Sequence, residues 1–242
     1  MRTEVQSVAT RPSFDQLVGV AAIASVPLAA LNLFLMFAAV HFDLSAMTHP
    51  VTLLRQGAAA ATLWRWSMIS DTLGYYVLVA PAIIVLHART RRLDAVRVDV
   101  ACAGLLAYCL IGAIGAIGLA EAVPPLMRAY SASGANRFAV ETVFNGYSNA
   151  VYRGMWNLLE EFVAGIGWII LASVLWARDR TFARATLVLG AAALLDSLAS
   201  AVNLDAIASL GLSIYLVLAP TWACWLGIRF LRDPPLQPNH GV

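Results

Sequence analysis

Four carboxylates stand inside long apolar stretches of this sequence: Asp71, Glu160, Glu161 and Asp196. A carboxylate in a bilayer core is costly, so it lines a cavity, meets a partner or carries function. At the helical rise of 1.5 Å per residue, Asp71, Glu160 and Asp196 each lie about 8–14 Å from the same end of three separate stretches. Acids that share a level point to one polar pocket open to one side. Burial among apolar helices disfavours a charged carboxyl, which suits it to give up a proton near neutral pH, and a second carboxylate can take one back. Asp71 and Asp196 are the candidate donor and acceptor, in either order, with Glu160 or Glu161 as the third group.

Each acid has polar company at helical spacing. Ser67, Asp71 and Tyr75 follow a step of four, as do Arg153, Asn157 and Glu161. Asp196, Ser200 and Asn203 form a third stripe, and Asn32 and Tyr215 reach the same level. Trp66 and Trp156 would wall the pocket for a lipophilic or cationic ligand; the alternative is that they join Trp64, Trp222 and Trp225 in an interfacial belt. The substrate-binding candidates are therefore Asn32, Trp66, Tyr75, Trp156, Asn157 and Tyr215. Adjacent helix residues point about 100° apart, so only one of Glu160 and Glu161 is expected to face the site. A purely structural alternative has Arg153 neutralising Glu160 or Glu161, and Asp71 paired with Arg65 or a tyrosine, fixing helix register without chemistry.

The elements that must position these residues are membrane helices. Of 242 residues 60% are hydrophobic and 12% charged, about half the charged share of a soluble domain. Apolar runs predict an all-α bundle of six spans in one domain, at about 17–40, 62–87, 98–120, 152–177, 183–203 and 206–230. Every basic residue apart from histidine is Arg, which excludes a retinal Schiff base and lysine catalysis. The net charge of +2 gives no footing for nucleic acid. Eleven of the 16 arginines fall on the side of the two termini, so the positive-inside rule puts both termini in the cytoplasm and the acids toward the other face of a bacterial inner membrane.

Two connecting segments on that other face are long. Residues 41–61 carry His41, Asp43 and His49, read as a solvated loop rather than a metal site. Residues 121–151 contain Pro124 and Pro125, then Phe138, Glu141, Phe144 and Tyr147 at amphipathic spacing, which predicts a short helix on the membrane surface or a lid. Gly112, Gly115 and Gly118 make a small-residue stripe for close helix packing. Pro27, Pro81 and Pro220 predict kinks. Cys102, Cys109 and Cys224 read as packing residues. His41 and His87 fall at opposite faces and cannot clamp a haem, so no metal or other cofactor is expected.

The C-terminal run from Trp222 to Arg232, with Trp225, Gly227 and Arg229 in it, resembles the last helix of uncharacterised six-helix bacterial membrane families, and the helix layout is similar along most of the chain. The size and buried acids are also similar, by analogy alone, to integral-membrane terpene cyclases, in which carboxylates protonate an isoprenoid. That likeness implies cyclisation, isomerisation or hydration of a lipophilic small molecule drawn from membrane lipid. The competing readings are a proton- or cation-coupled carrier and a structural subunit of a membrane complex; the oligomeric state is open.

Overall fold

Ser13 starts the first helix with a reciprocal cap: its hydroxyl accepts from the Gln16 N–H, and the Gln16 side chain accepts from the Ser13 N–H at 2.8 Å. Among the described residues beyond it, every regular element is a helix. The computed structural model describes residues 13–43 and 51–232. Its helices are α1 (Phe14–Ala39), the short α2 (Val51–Arg55), α3 (Gly57–Thr90), α4 (Ala95–Ser131), α5 (Arg137–Leu175), α6 (Arg180–Ala201) and α7 (Asp205–Arg232). All but α2 are long and apolar enough to cross a membrane, so this is an all-α multi-pass membrane protein. Large apolar side chains cover the outside, among them Leu110, Ile114 and Val217, as a lipid-facing surface requires.

Six spans bring Phe14 and Arg232 to one end, here the terminal end; the opposite end is the distal end. Ion pairs fasten the terminal end. Arg89 meets Asp15 at 2.6 Å and Arg229 meets Asp179 at 2.6 Å, while His87 and Arg91 share Asp99. Asp179 also caps α6 by accepting from the Phe182 N–H. That hydrogen bond, aided by Arg229, holds its carboxyl below the usual aspartate range. Glycines seat α1 against α7 here: a Cβ at Gly19 would stand 2.8 Å from the Gly227 carbonyl oxygen.

The distal end differs from the sequence expectation. No break occurs at 121; α4 runs on through Pro124 and Pro125 to Ser131. Its face of Leu119, Val123 and Met127 is buried with Leu54, Trp64, Phe144 and Val151, so packing outweighs two prolines. The segment expected on the membrane surface is the first part of α5, capped by Asn136 and continuous with the span. Phe144 is buried in that same cluster, which makes the segment a packed extension and not a lid. Part of the 41–61 loop is also helical: α2 and the start of α3 occupy it. Gly57 at φ +78° makes the turn between them. His49 lies outside the described residues.

Two stretches wind as π-helix: Thr72–Val77 in α3 and Ala150–Glu160 in α5. Pro81 comes just after the first, at the start of the resumed α-helix, where its missing N–H is tolerated. Side chains from neighbouring helices donate to carbonyls within both windings. The Tyr108 hydroxyl donates to Tyr75 O at 3.1 Å, and the Ser197 hydroxyl to Leu158 O at 2.9 Å.

Candidate functional site

Between α1, α3, α5 and α7, in the distal half, lies a cavity of about 150 Å³. Asp71, Glu160 and Glu161 line it, as do Asn32, Tyr75, Trp156, Asn157 and Tyr215. The π-helical windings explain how one wall gathers so many of them. A π-turn bonds i to i+5, so Tyr76 joins Tyr75 on the side of Asp71, where an α-helical step of four would select Tyr75 alone. In α5, Glu160 ends the π winding and Glu161 begins the α-helix. Consecutive residues diverge less in the wider winding, and both glutamates reach the cavity at 2% exposure. The expectation that only one would do so is corrected.

Among the described residues no arginine forms an ion pair with these acids, so the pairing of Arg153 with Glu160 or Glu161 and of Arg65 with Asp71 is also corrected. Arg65 binds Glu121 at 2.7 Å on the exposed surface, and Arg153 donates to the Asn203 side chain. Asp71 is instead held by an amide: Asn32 Nδ2 donates to its Oδ1 at 2.7 Å. The Ser67 hydroxyl donates to Asn32 Oδ1 at 2.6 Å and fixes which way that amide points. The Tyr76 hydroxyl donates to Glu160 Oε1 at 3.1 Å. Asp71 and Glu160 line the same cavity from α3 and α5. Asp71 Oδ2, Glu160 Oε2, Glu161 Oε2 and Asp196 Oδ2 are buried and have no protein donor. Acceptors left open in this way are unusual in a folded protein.

Two sequence candidates do not line this cavity. Trp66 is 54% exposed: it stands five residues before Asp71, about 140° round an α-helix, and faces outward. Asp196, wholly buried, lines a neighbouring cavity with Arg153, Ser200 and Asp205. Helix α6 packs behind α5 rather than beside the cavity, and Asp196 meets the site only through the Glu161 carboxyl. The interfacial-belt alternative fails for Trp64 and Trp222, both buried; Trp222 donates to Thr186 Oγ1 at 2.9 Å.

Residues missed in the sequence complete the site. Tyr76, Tyr152, Met36 and Met68 line it, and Leu33, Leu212 and Leu216 form its half-buried edge between α1 and α7. The glycine stripe of α4 serves it too. A Cβ at Gly112 would strike the Tyr76 ring and stand 2.8 Å from Glu160 Oε2, and one at Gly115 would strike the Trp156 indole. These glycines make room for site side chains rather than for a helix backbone.

An aromatic column closes the cavity toward the terminal end. Tyr76 packs on Tyr108 at 5.3 Å, Tyr108 on Trp168 at 5.3 Å, and Trp168 on Trp222 at 6.1 Å between ring centroids. Hydroxyls tie it together: Tyr215 donates to Tyr108 at 3.0 Å, and Tyr75 to Leu216 O at 3.1 Å. Beneath the cavity a void of about 10 Å³ lies beside Tyr108 and Trp168, and at the terminal end a separate cavity of about 390 Å³ is lined by Arg89, Arg178, Asp179, Phe182 and Arg229. Among the described residues no group of three His, Cys, Asp or Glu could hold a metal ion. No protein family, curated protein or solved structure matches this chain.

Proposed function

We propose that the protein is an intramembrane enzyme that performs acid–base chemistry on a lipophilic, isoprenoid-like substrate. The observation that carries this is the company of the acids: three carboxyls, without a cationic partner among the described residues, share one cavity with five aromatic side chains. A proton given to a carbon–carbon double bond leaves a carbocation, and aromatic faces stabilise a cation in a desolvated site. Glu161 or Glu160 gives that proton. Asp71, whose Oδ1 already accepts from Asn32, takes a proton from a neighbouring carbon with its open Oδ2. The product is an isomer, or a ring where the cation first meets a second double bond. A cavity of this size holds a benzene-sized group, so the reacting end of the substrate enters and its tail lies along Leu33, Met36, Leu212 and Leu216, in contact with lipid.

The carrier reading needs a path out toward the terminal end, which the aromatic column fills. A structural subunit calls for paired acids, and here one oxygen of each is open. Deuterium labelling tests the proposal. Reconstituted protein incubated with polyprenyl lipids in heavy water is expected to leave deuterium on carbon. The Asp71→Asn protein, folded but unable to accept a proton at that position, is expected to leave none. Wild-type protein that labels no lipid carbon would overturn the reading.

A further inference from the structure

Asp196 lines a second cavity, of about 140 Å³, between α5, α6 and α7. Its walls include Arg153, Ser200, Asp205 and Ser209, close to the distal ends of their helices. Asn157 and Leu212 line both cavities and so form the partition between them. At that partition the Asp196 and Glu161 carboxyls meet. Ser200 donates to Asp196 Oδ1 at 3.1 Å, while Asp196 Oδ2 and Glu161 Oε2 have no protein donor. Ionised carboxyls only accept, so two that face each other away from water are joined by a proton that one of them carries. The close approach is built into the packing of α5 on α6: a Cβ at Gly165, one turn from Glu161, would stand 2.9 Å from the Gly190 carbonyl oxygen, and the Ser197 hydroxyl, beside Asp196, donates to Leu158 O at 2.9 Å.

We propose that Asp196 and Glu161 form a proton route from the distal crevice to the main cavity. Protonated Asp196 gives its proton to the Glu161 carboxylate, and Asp196, now anionic, takes one from an acid in the crevice, hydronium or buffer. One proton moves inward and no other bond changes. The charged groups that face Asp196 are Glu161 and Arg153 from α5 and Asp205 from α7; Glu160 stands behind Glu161. Asp196 is thus a positioning residue that acts through Glu161 and does not touch substrate. The use made of the proton rests on the proposed acid chemistry; the route does not.

Infrared spectroscopy of the reconstituted protein without substrate tests the route. The carboxylic C=O band that disappears in Glu161→Gln is followed after transfer to heavy water. In the wild type it is expected to shift promptly as O–H becomes O–D. Asp196→Asn is expected to slow that shift by an order of magnitude, and Asp196→Glu to restore it. Ser209→Phe, at an exposed position on the crevice wall, is expected to slow it as well without touching the pair, which covers the case of an Asp196 variant that does not fold. A wild-type band that does not exchange, or exchange at the wild-type rate in Asp196→Asn or Ser209→Phe, would overturn the route. Prompt exchange beside absent lipid labelling would leave the route standing and remove the enzyme reading. Lipid labelling undiminished in Asp196→Asn would do the reverse.

Discussion

At the scale of single residues, what sets this protein apart is that its buried acids are held by neutral donors. Asn32 is the clearest case. Its amide donates to Asp71, and its carbonyl oxygen is occupied by Ser67, so the group is oriented before any ligand arrives. Asn32→Leu would strip Asp71 Oδ1 of its donor in a buried site. Thermal unfolding in detergent is expected to report a loss of about 1–3 kcal/mol; an unchanged melting temperature would mean that water already serves this carboxyl. The α4 glycines give a sharper contrast. At Gly112 an added methyl must displace the Tyr76 ring or Glu160, whereas at Gly154 nothing lies within 4 Å. Overpacking predicts a cost of about 1–3 kcal/mol for Gly112→Ala. Gly154→Ala is expected to be neutral or stabilising by up to about 1 kcal/mol. The acids themselves were legible in the sequence, because a carboxylate inside an apolar run is conspicuous. Tyr76 was not, because the π winding that turns it toward Asp71 leaves no mark in the periodicity, and neither was the purpose of Gly112, which depends on which side chains lie opposite.

At the scale of elements, the π-helical windings account for most of the differences between sequence and structure. Periodicity of 3.6 put Asp71 with Tyr75 and Asn157 with Glu161, which lie along one cavity wall, but it left out the adjacent Tyr76 and Glu160, where the winding is wider. It had no way to register Tyr108 and Ser197, which donate to carbonyls inside the windings from other helices. The extent of α4 escaped for a related reason: Pro124 and Pro125 are strong local breakers, and only the burial of Val123 and Met127 against other elements outweighs them. Element ends carry their own test. Asp179 caps α6 and pairs with Arg229 of α7, and both interactions favour its ionised form. A carboxyl held lower in the folded state contributes stability that is fully present above its unfolded value, about 3.9. That stability is lost as pH falls through the folded value. Melting temperature is therefore expected to decline below about pH 4, with a smaller decline in Asp179→Asn, which still caps α6 but cannot lose a charge. Parallel declines in the two proteins would assign the acid sensitivity to other carboxyls.

At the scale of the whole molecule, polarity is distributed unevenly from end to end. The terminal end carries ion pairs around a cavity lined by Arg89, Arg178 and Arg229, the aromatic column separates it from the rest, and the buried acids with their two cavities occupy the distal half. This asymmetry gives the proposed chemistry a direction only if the bundle has one orientation in the membrane. The arginines supply the argument. Among the described residues Arg55, Arg65, Arg128, Arg137 and Arg153 are distal, and Arg89, Arg91, Arg92, Arg97, Arg178, Arg180, Arg184, Arg229 and Arg232 lie in or beside the terminal-end segments. Such a bias is expected to orient the bundle with its terminal end in the cytoplasm, which would open the distal crevice to the outside. Cysteine labelling tests this in intact cells. Gly134 is a poor site, because its φ of +76° would strain any other residue, but its neighbour Ser133 is exposed and similar in shape to cysteine. Ala177, exposed in the turn between α5 and α6, reports the opposite end. Cys102 and Cys109 are buried, and Cys224, only partly so, is replaced by Ala in the background. A membrane-impermeant maleimide is expected to label Ser133→Cys in intact cells, and Ala177→Cys only after the cells are opened. The reverse pattern would place the crevice in the cytoplasm and make the proton route an inside one. Dual labelling of both sites in intact cells would mean that the arginine bias does not set a single orientation, and the asymmetry of the bundle would then confer no direction on the chemistry.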